Sequence, residues 1–100
     1  DVEDKQMLSI EAQVTELRAY AANEGLEIVD EMIEKKSAKS PGRVIFGEML
    51  KRIEKGEANG IVSWHPDRLA RNSVDGGQIV YLLDIGKLES LKFPSHWFEN

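Results

Sequence analysis

The sequence predicts an α/β domain with a mostly parallel sheet flanked by helices. Three observations carry that expectation. Segments with helical apolar spacing alternate with short apolar runs, the order that βα units produce. Glycines stand where the three helical patterns stop, at Gly25, Gly56 and Gly86, the usual choice just past a helix end. The length of 100 residues, 41% of them hydrophobic, suits one core and one domain.

The elements follow in order. Residues 1–7 are polar and read as a loop. Ser9 is an N-cap candidate, and Ile10, Val14, Leu17 and Ala21 recur at helical spacing before Gly25. Leu26 to Ile33 is a strand candidate, with Leu26 and Ile28 alternating before the pattern blurs. Glu34-Lys35-Lys36-Ser37-Ala38-Lys39-Ser40-Pro41-Gly42 is an unpatterned basic loop, rich in breakers. Arg43 opens a second helix with Phe46, Met49, Leu50 and Ile53 as its buried stripe. Gly60 to Trp64 reads as a short buried strand. Asn72 or Ser73 caps a third helix whose apolar face is Ile79, Val80, Leu82 and Leu83. Leu88 to Phe93 reads as a last strand, and Pro94 to Asn100 as an aromatic tail containing Trp97 and Phe98.

Composition narrows the function classes. No run approaches a membrane span, and nothing near Asp1 has the form of a signal peptide. With no cysteine, disulfides and thiolate metal sites are excluded, which fits a reducing cytoplasm. The histidines, His65 and His96, lie far apart and form no ligand spacing. A net charge of −5 argues against a nucleic-acid partner at first sight. The distribution says more, because four of the five arginines (Arg43, Arg52, Arg68, Arg71) fall between positions 43 and 71. A local positive patch on an acidic body is consistent with that clustering; bulk DNA affinity has to come from another domain.

The densest chemistry lies in Trp64-His65-Pro66-Asp67-Arg68-Leu69-Ala70-Arg71-Asn72, where a strand hands over to a helix. In open α/β sheets that crevice is where ligands bind, and a helix N-terminus there favours an anion. Arg68 and Arg71 add two planar forks that match phosphate oxygens and stay charged. On residue types alone a solvated salt-bridge patch, with Asp67 as a cap, explains the segment as well. Arg43, beside Gly42, is the better phosphate candidate on the second helix, since Glu48 stands at i−4 to Arg52 and can pair with it. Glu34 and Asp67 can orient arginines, and Gln13 lies on the polar side of the first helix. No Ser-His-Asp constellation is present, and Ser9 reads as a cap rather than a nucleophile.

Taken together, Ser9-Ile10-Glu11-Ala12-Gln13, then Glu34…Ser37-Ala38…Arg43, then Arg52…Gly56, then Asp67-Arg68-Leu69-Ala70-Arg71-Asn72 resemble the catalytic domain of the serine recombinases. These are the resolvases, invertases and large phage-type integrases, and the Ser-Ile-Glu segment is more similar to the large or transposon-borne branch. The resemblance runs over residues 8–93. It implies a resolvase-like three-layer domain and site-specific recombination of double-stranded DNA by a homo-oligomer, with neither metal nor ATP as cofactor and no membrane. A serine hydroxyl attacks a backbone phosphate, leaves a 5′-phosphoserine link and expels a 3′-hydroxyl. With no metal, arginines must stabilise the charge on the phosphate oxygens. By position, Arg43, Arg68 and Arg71 match the phosphate-binding and catalytic arginines, and Arg52 matches a position that is often lysine. Asp67, Glu34, Gln13 and Ser37 match supporting positions, although the family more often has aspartate at Glu34 and glycine at Ala38. The implied setting is cytoplasmic, for a bacterial or a phage- or transposon-encoded protein acting on DNA.

The front of the chain departs from the family pattern. The nucleophile belongs to a Tyr-x-Arg-x-Ser segment on a first strand, about a dozen residues before the glutamine that matches Gln13. No such segment stands among these residues. The expectation is therefore that residues 1–100 are part of a serine recombinase catalytic domain, without its first strand and nucleophile and inactive alone. Unpaired sheet edges then predict self-association or strand borrowing. The competing reading is a non-catalytic α/β assembly module whose arginines make structural salt bridges. A flavodoxin-like or receiver-like domain is weaker, since the acidic cluster and glycine-rich phosphate loop it needs are missing.

Overall fold

The computed structural model describes residues 9–35 and 37–94. In chain order they form α1 (Ile10–Asn23), α2 (Val44–Glu54), β1 (Gly60–Val62), α3 (Pro66–Leu69), α4 (Ser73–Asp84) and β2 (Ser90–Lys92). The polar segment before Leu8 and the aromatic pair Trp97 and Phe98 lie outside the described residues.

Helix ends follow the sequence signals closely. Ser9 adopts extended backbone and its hydroxyl accepts the Ala12 N–H, so it caps α1 as its residue type suggests. Asn72 does the same for α4, accepting the Asp75 N–H at 2.8 Å. At the other end of α2, Gly56 N–H donates to Ile53 O and Glu57 N–H to Arg52 O. That pair of bonds is the Schellman closure, and it needs the left-handed φ of +88° that Gly56 supplies. Gly86, at φ +79°, closes α4 in the same manner.

β1 and β2 run parallel in the register Gly60↔Ser90, Ile61↔Leu91 and Val62↔Lys92. Ser63 N–H donating to Lys92 O and Glu89 N–H to Asn59 O extend the pairing at both ends. Parallel strands need a crossover, and α3 with α4 supplies it. The core packs Phe46, Leu50 and Ile53 of α2 against Ile61, Leu69, Ile79, Leu82 and Leu88. Met49 of the expected α2 stripe is half-buried against that cluster. On α4 only Ile79 and Leu82 of the expected apolar face are buried; Val80 is 54% and Leu83 37% exposed. α4 is covered on one side, so a two-residue-wide stripe has only one edge against the core.

The strand expected at Leu26–Ile33 is not part of the sheet: among the described residues the sheet has two strands, and residues 26–33 are irregular. A strand is defined by its ladder partner, and this segment meets the body differently. Ion pairs Arg18–Glu31 and Arg52–Asp30 tie it to α1 and α2. Between it, α1, α2 and β1 lies an apolar cavity of about 220 Å³ lined by Leu17, Ala21, Ile28, Met49, Ile53 and Ile61.

Candidate functional site

The site starts from the turn after β1. Pro66 stands at the first position of α3, where its fixed φ suits the helix and its missing N–H costs nothing. His65 caps that turn: its Nδ1 accepts the Asp67 N–H at 3.1 Å. Asp67, the expected cap, is instead in the first turn, because Pro66 leaves the residue before it in the extended backbone that a cap requires. Leu69 is buried, and Asp67 and Arg68 are exposed. One turn of helix thus seats an apolar anchor while turning an acid and an arginine outward. Ala70 returns to extended backbone, which ends α3 before Arg71. Sequence periodicity cannot reveal so short an element, since four residues barely exceed one helical period.

Arg43 is in a different environment. It is 5% exposed, with its guanidinium 4.2 Å above the Phe46 ring. Its Nη2 donates to Leu69 O at 2.6 Å and to Asp75 Oδ2 at 3.0 Å. Asp75 Oδ2 also accepts from Asn72 Nδ2 at 2.9 Å. Asn72 Nδ2 and the Arg71 N–H both donate to Ala38 O, at 3.1 and 2.8 Å. The expected basic loop is therefore docked, with Ala38 buried beneath it. Asp75 carries no special signature beyond the spacing Asn72-x-x-Asp75, which resembles a capping box and explains why it reads as a first-turn surface acid.

Glu34 takes the N-terminus of α2: its Oε2 accepts the Ile45 and Phe46 N–H groups at 3.0 and 3.4 Å. Arg52 pairs with Glu57 and Asp30 rather than with Glu48, because both lie within reach of the last turn of α2. Those two carboxylates hold its pKa above the ordinary arginine value, Glu57 foremost.

A second cavity, of about 780 Å³, gathers Gln13, Glu34, Ser37, Arg43, Asp67, Arg68 and Arg71 along one wall system with Ser9, Ser63 and Trp64. Arg52 lies instead on the apolar cavity behind α2. Four cations (Lys35, Arg43, Arg68, Arg71) and two acids (Glu34, Asp67) line the larger cavity, a positive balance on a chain of net charge −5. Ser37, exposed at the mouth, uses its hydroxyl to accept the Lys39 N–H. Among the described residues no three His, Cys, Asp or Glu side chains come together as a metal site, and no helix is long and apolar enough to cross a membrane. Chemically, the arrangement suits an anion with several oxygens, met by exposed guanidinium groups at the rim.

Comparison with known proteins places the fold and the family. Among solved structures, the chain is similar to the crystal structure of the C-terminal catalytic domain of ISC1926 TnpA, an IS607-like serine recombinase, with a TM-score of 0.73 and 20% identity. The likeness covers 84% of this chain and 55% of that one, so the chain spans about half of its neighbour's length. At that identity the likeness establishes the fold: an α/β body with a parallel strand pair flanked by helices. No curated protein matches significantly. Residues 2–89 match the family model described as resolvase, N terminal domain. The chain belongs to that family, the serine recombinase catalytic domains.

Proposed function

We propose that this chain supplies the phosphate-binding part of a site-specific DNA recombinase catalytic domain. Its partners are double-stranded DNA and further copies of the recombinase. Strands are cut and rejoined by serine transesterification through a 5′-phosphoserine, in the cytoplasm of a host carrying the mobile element. One observation carries the reading: Arg68 and Arg71 stand exposed on the cavity that also holds Gln13, Glu34, Ser37 and Asp67. The in-line displacement needs positive groups at the non-bridging oxygens, and those two side chains present forks of the right shape. Asp67, one position before Arg68 on α3, places a carboxylate on the same cavity. Residues 1–100 form part of the domain, with the nucleophile outside them. The polypeptide alone therefore forms no covalent adduct with DNA.

The competing reading, an assembly module with structural salt bridges, accounts for Arg18, Arg43 and Arg52, which all pair with protein acids. It does not account for the gathering of Arg68 and Arg71 on one cavity with Gln13, Glu34, Ser37 and Asp67. The test is a fusion carrying a Tyr-x-Arg-x-Ser strand ahead of Asp1, incubated with a recombination-site duplex in EDTA. A phosphoserine adduct that Arg68→Ala abolishes is the expected result. A folded fusion that binds the duplex and forms no adduct sinks the catalytic reading. An adduct from the 100-residue chain itself sinks the assignment of the nucleophile.

A further inference from the structure

We infer that Asp75 is a positioning residue, which with Arg43 pins the main chain between Arg68 and Arg71; its functional consequence rests on the phosphate reading above. Asp75 is 3% exposed, lies behind the cavity and is not among its lining residues. Its Oδ2 receives both the Arg43 guanidinium and the Asn72 side-chain amide. Through Arg43 Nη2 it reaches Leu69 O, a carbonyl at the end of α3 that has no continuing helix to satisfy it. Through Asn72 it reaches Ala38 O, which also accepts the Arg71 N–H.

The backbone on both sides of Ala70 is thereby held: Leu69 O before it by Arg43, Arg71 N–H after it by Ala38 O. Neither bond uses the side chain of Arg68 or Arg71. The exposed forks project from a clamped segment, as preorganisation of an anion site requires. Arg43, buried over Phe46 and committed to Asp75 and Leu69, acts on the phosphate through that segment rather than by touching it. Its buried Nε has no hydrogen-bond partner among the described residues. Asp75, at 3.0 Å from Arg43 Nη2, is the carboxylate that balances this buried charge.

The test uses the 100-residue chain, ¹⁵N-labelled, with two readouts. The first is hydrogen exchange of the Arg71 amide against that of Leu82 in the core. The second is affinity for a short duplex DNA. Asp75→Asn retains Arg43 but removes the charge that holds it. The double variant Arg43→Met with Asp75→Leu replaces the buried pair by apolar groups of similar size, an exchange that buried ion pairs generally tolerate. In the double variant Leu82 protection stays at the wild-type level, and in both variants Arg71 protection falls relative to that of Leu82 by about tenfold or more. Duplex affinity drops by about tenfold, to the level of Arg71→Ala.

Unchanged Arg71 protection in the folded double variant overturns the proposal, since the pair is then ordinary core. Tighter DNA binding by Asp75→Asn also overturns it, because Arg43 is then a phosphate ligand that Asp75 withholds. If Asp75→Asn does not fold, the double variant's exchange decides. Absence of Arg71-dependent DNA binding in the wild-type chain defeats the phosphate reading instead and leaves the exchange result to judge the clamp.

Discussion

Salt dependence of DNA binding separates the arginines by number as well as by identity. Each phosphate neutralised releases condensed counterions, so log K falls against log salt with a slope of about −0.9 per contact. Arg68 and Arg71 are the exposed arginines on the cavity, which predicts a slope of about −1.8 for the wild-type chain. From about 50 to about 200 mM salt, affinity then falls by about twelvefold in the wild type and by about 3.5-fold in Arg68→Ala or Arg71→Ala. The net charge of −5 depresses the absolute affinity, but it is nearly common to all variants and leaves the difference in slope intact. Arg52→Ala is the control. Its guanidinium is committed to Glu57 and Asp30 beside the other cavity, so its loss leaves the slope at the wild-type value. Fluorescence anisotropy with a labelled duplex across a salt series reads all four proteins. Equal slopes in the wild type and both rim variants, or a slope that Arg52→Ala lowers as much, refute the assignment.

Three further outcomes follow from packing and charge. Ile53→Ala empties a site 2% exposed at the centre of the core and lowers stability by about 2–5 kcal/mol, read from urea unfolding; a loss within a few tenths of a kcal/mol contradicts the core assignment. Glu34→Ala leaves the Ile45 and Phe46 N–H groups of α2 without their acceptor and costs about 1 kcal/mol, whereas Glu34→Gln keeps an acceptor and loses less. Hydrogen bonds from Arg52 and Arg18 hold the Asp30 and Glu31 carboxyls below their ordinary values. Depressed folded-state values mean that the stabilisation is present above the unfolded-state pKa, about 4, and is lost as pH falls through the lower folded-state values. Acid titration of the unfolding midpoint at low salt should show that loss. It should shrink in high salt and in Arg18→Ala combined with Arg52→Ala, since both pairs are exposed, leaving the part that the Glu31 N–H contributes at Asp30.

Local chemistry explains what was legible in the sequence. Caps and stops announce themselves because one side chain or one φ angle settles each: Ser9, Asn72, Gly56 and Gly86 all act as their types suggest. The α2 stripe was legible because four apolar residues repeat at helical spacing and face one neighbour. Residues 26–33 were misread because strand propensity speaks for the segment, while pairing depends on another segment. The site divides in the same way. The Asp67–Arg71 corner was visible as a cluster of charges in one short run. The burial of Arg43 was not, because its partners, Leu69 O and Asp75, lie 26 and 32 residues away. Beside Gly42 at the start of a helix, Arg43 reads as a phosphate candidate, and only tertiary contacts with Phe46, Leu69 and Asp75 turn it into the core.

The helix ends bear on the proposed phosphate site. An N-terminus offers N–H groups and a partial positive charge, which the sequence alone predicts for the helix after the Asp67–Arg71 corner and which α2 also has beside the cavity. Both are engaged from within. Glu34 accepts the first N–H groups of α2, and Asn72 accepts that of Asp75 in α4. Arg43, which begins the α2 segment, is turned into the core with Asp75. The exposed positive side chains on the cavity are those of Lys35, Arg68 and Arg71. That placement has a physical consequence for an acidic chain. Guanidinium forks act at contact distance, whereas carboxylates more than about 10 Å away are largely screened at about 0.1 M salt, so the proposed phosphate contact is compatible with a net charge of −5.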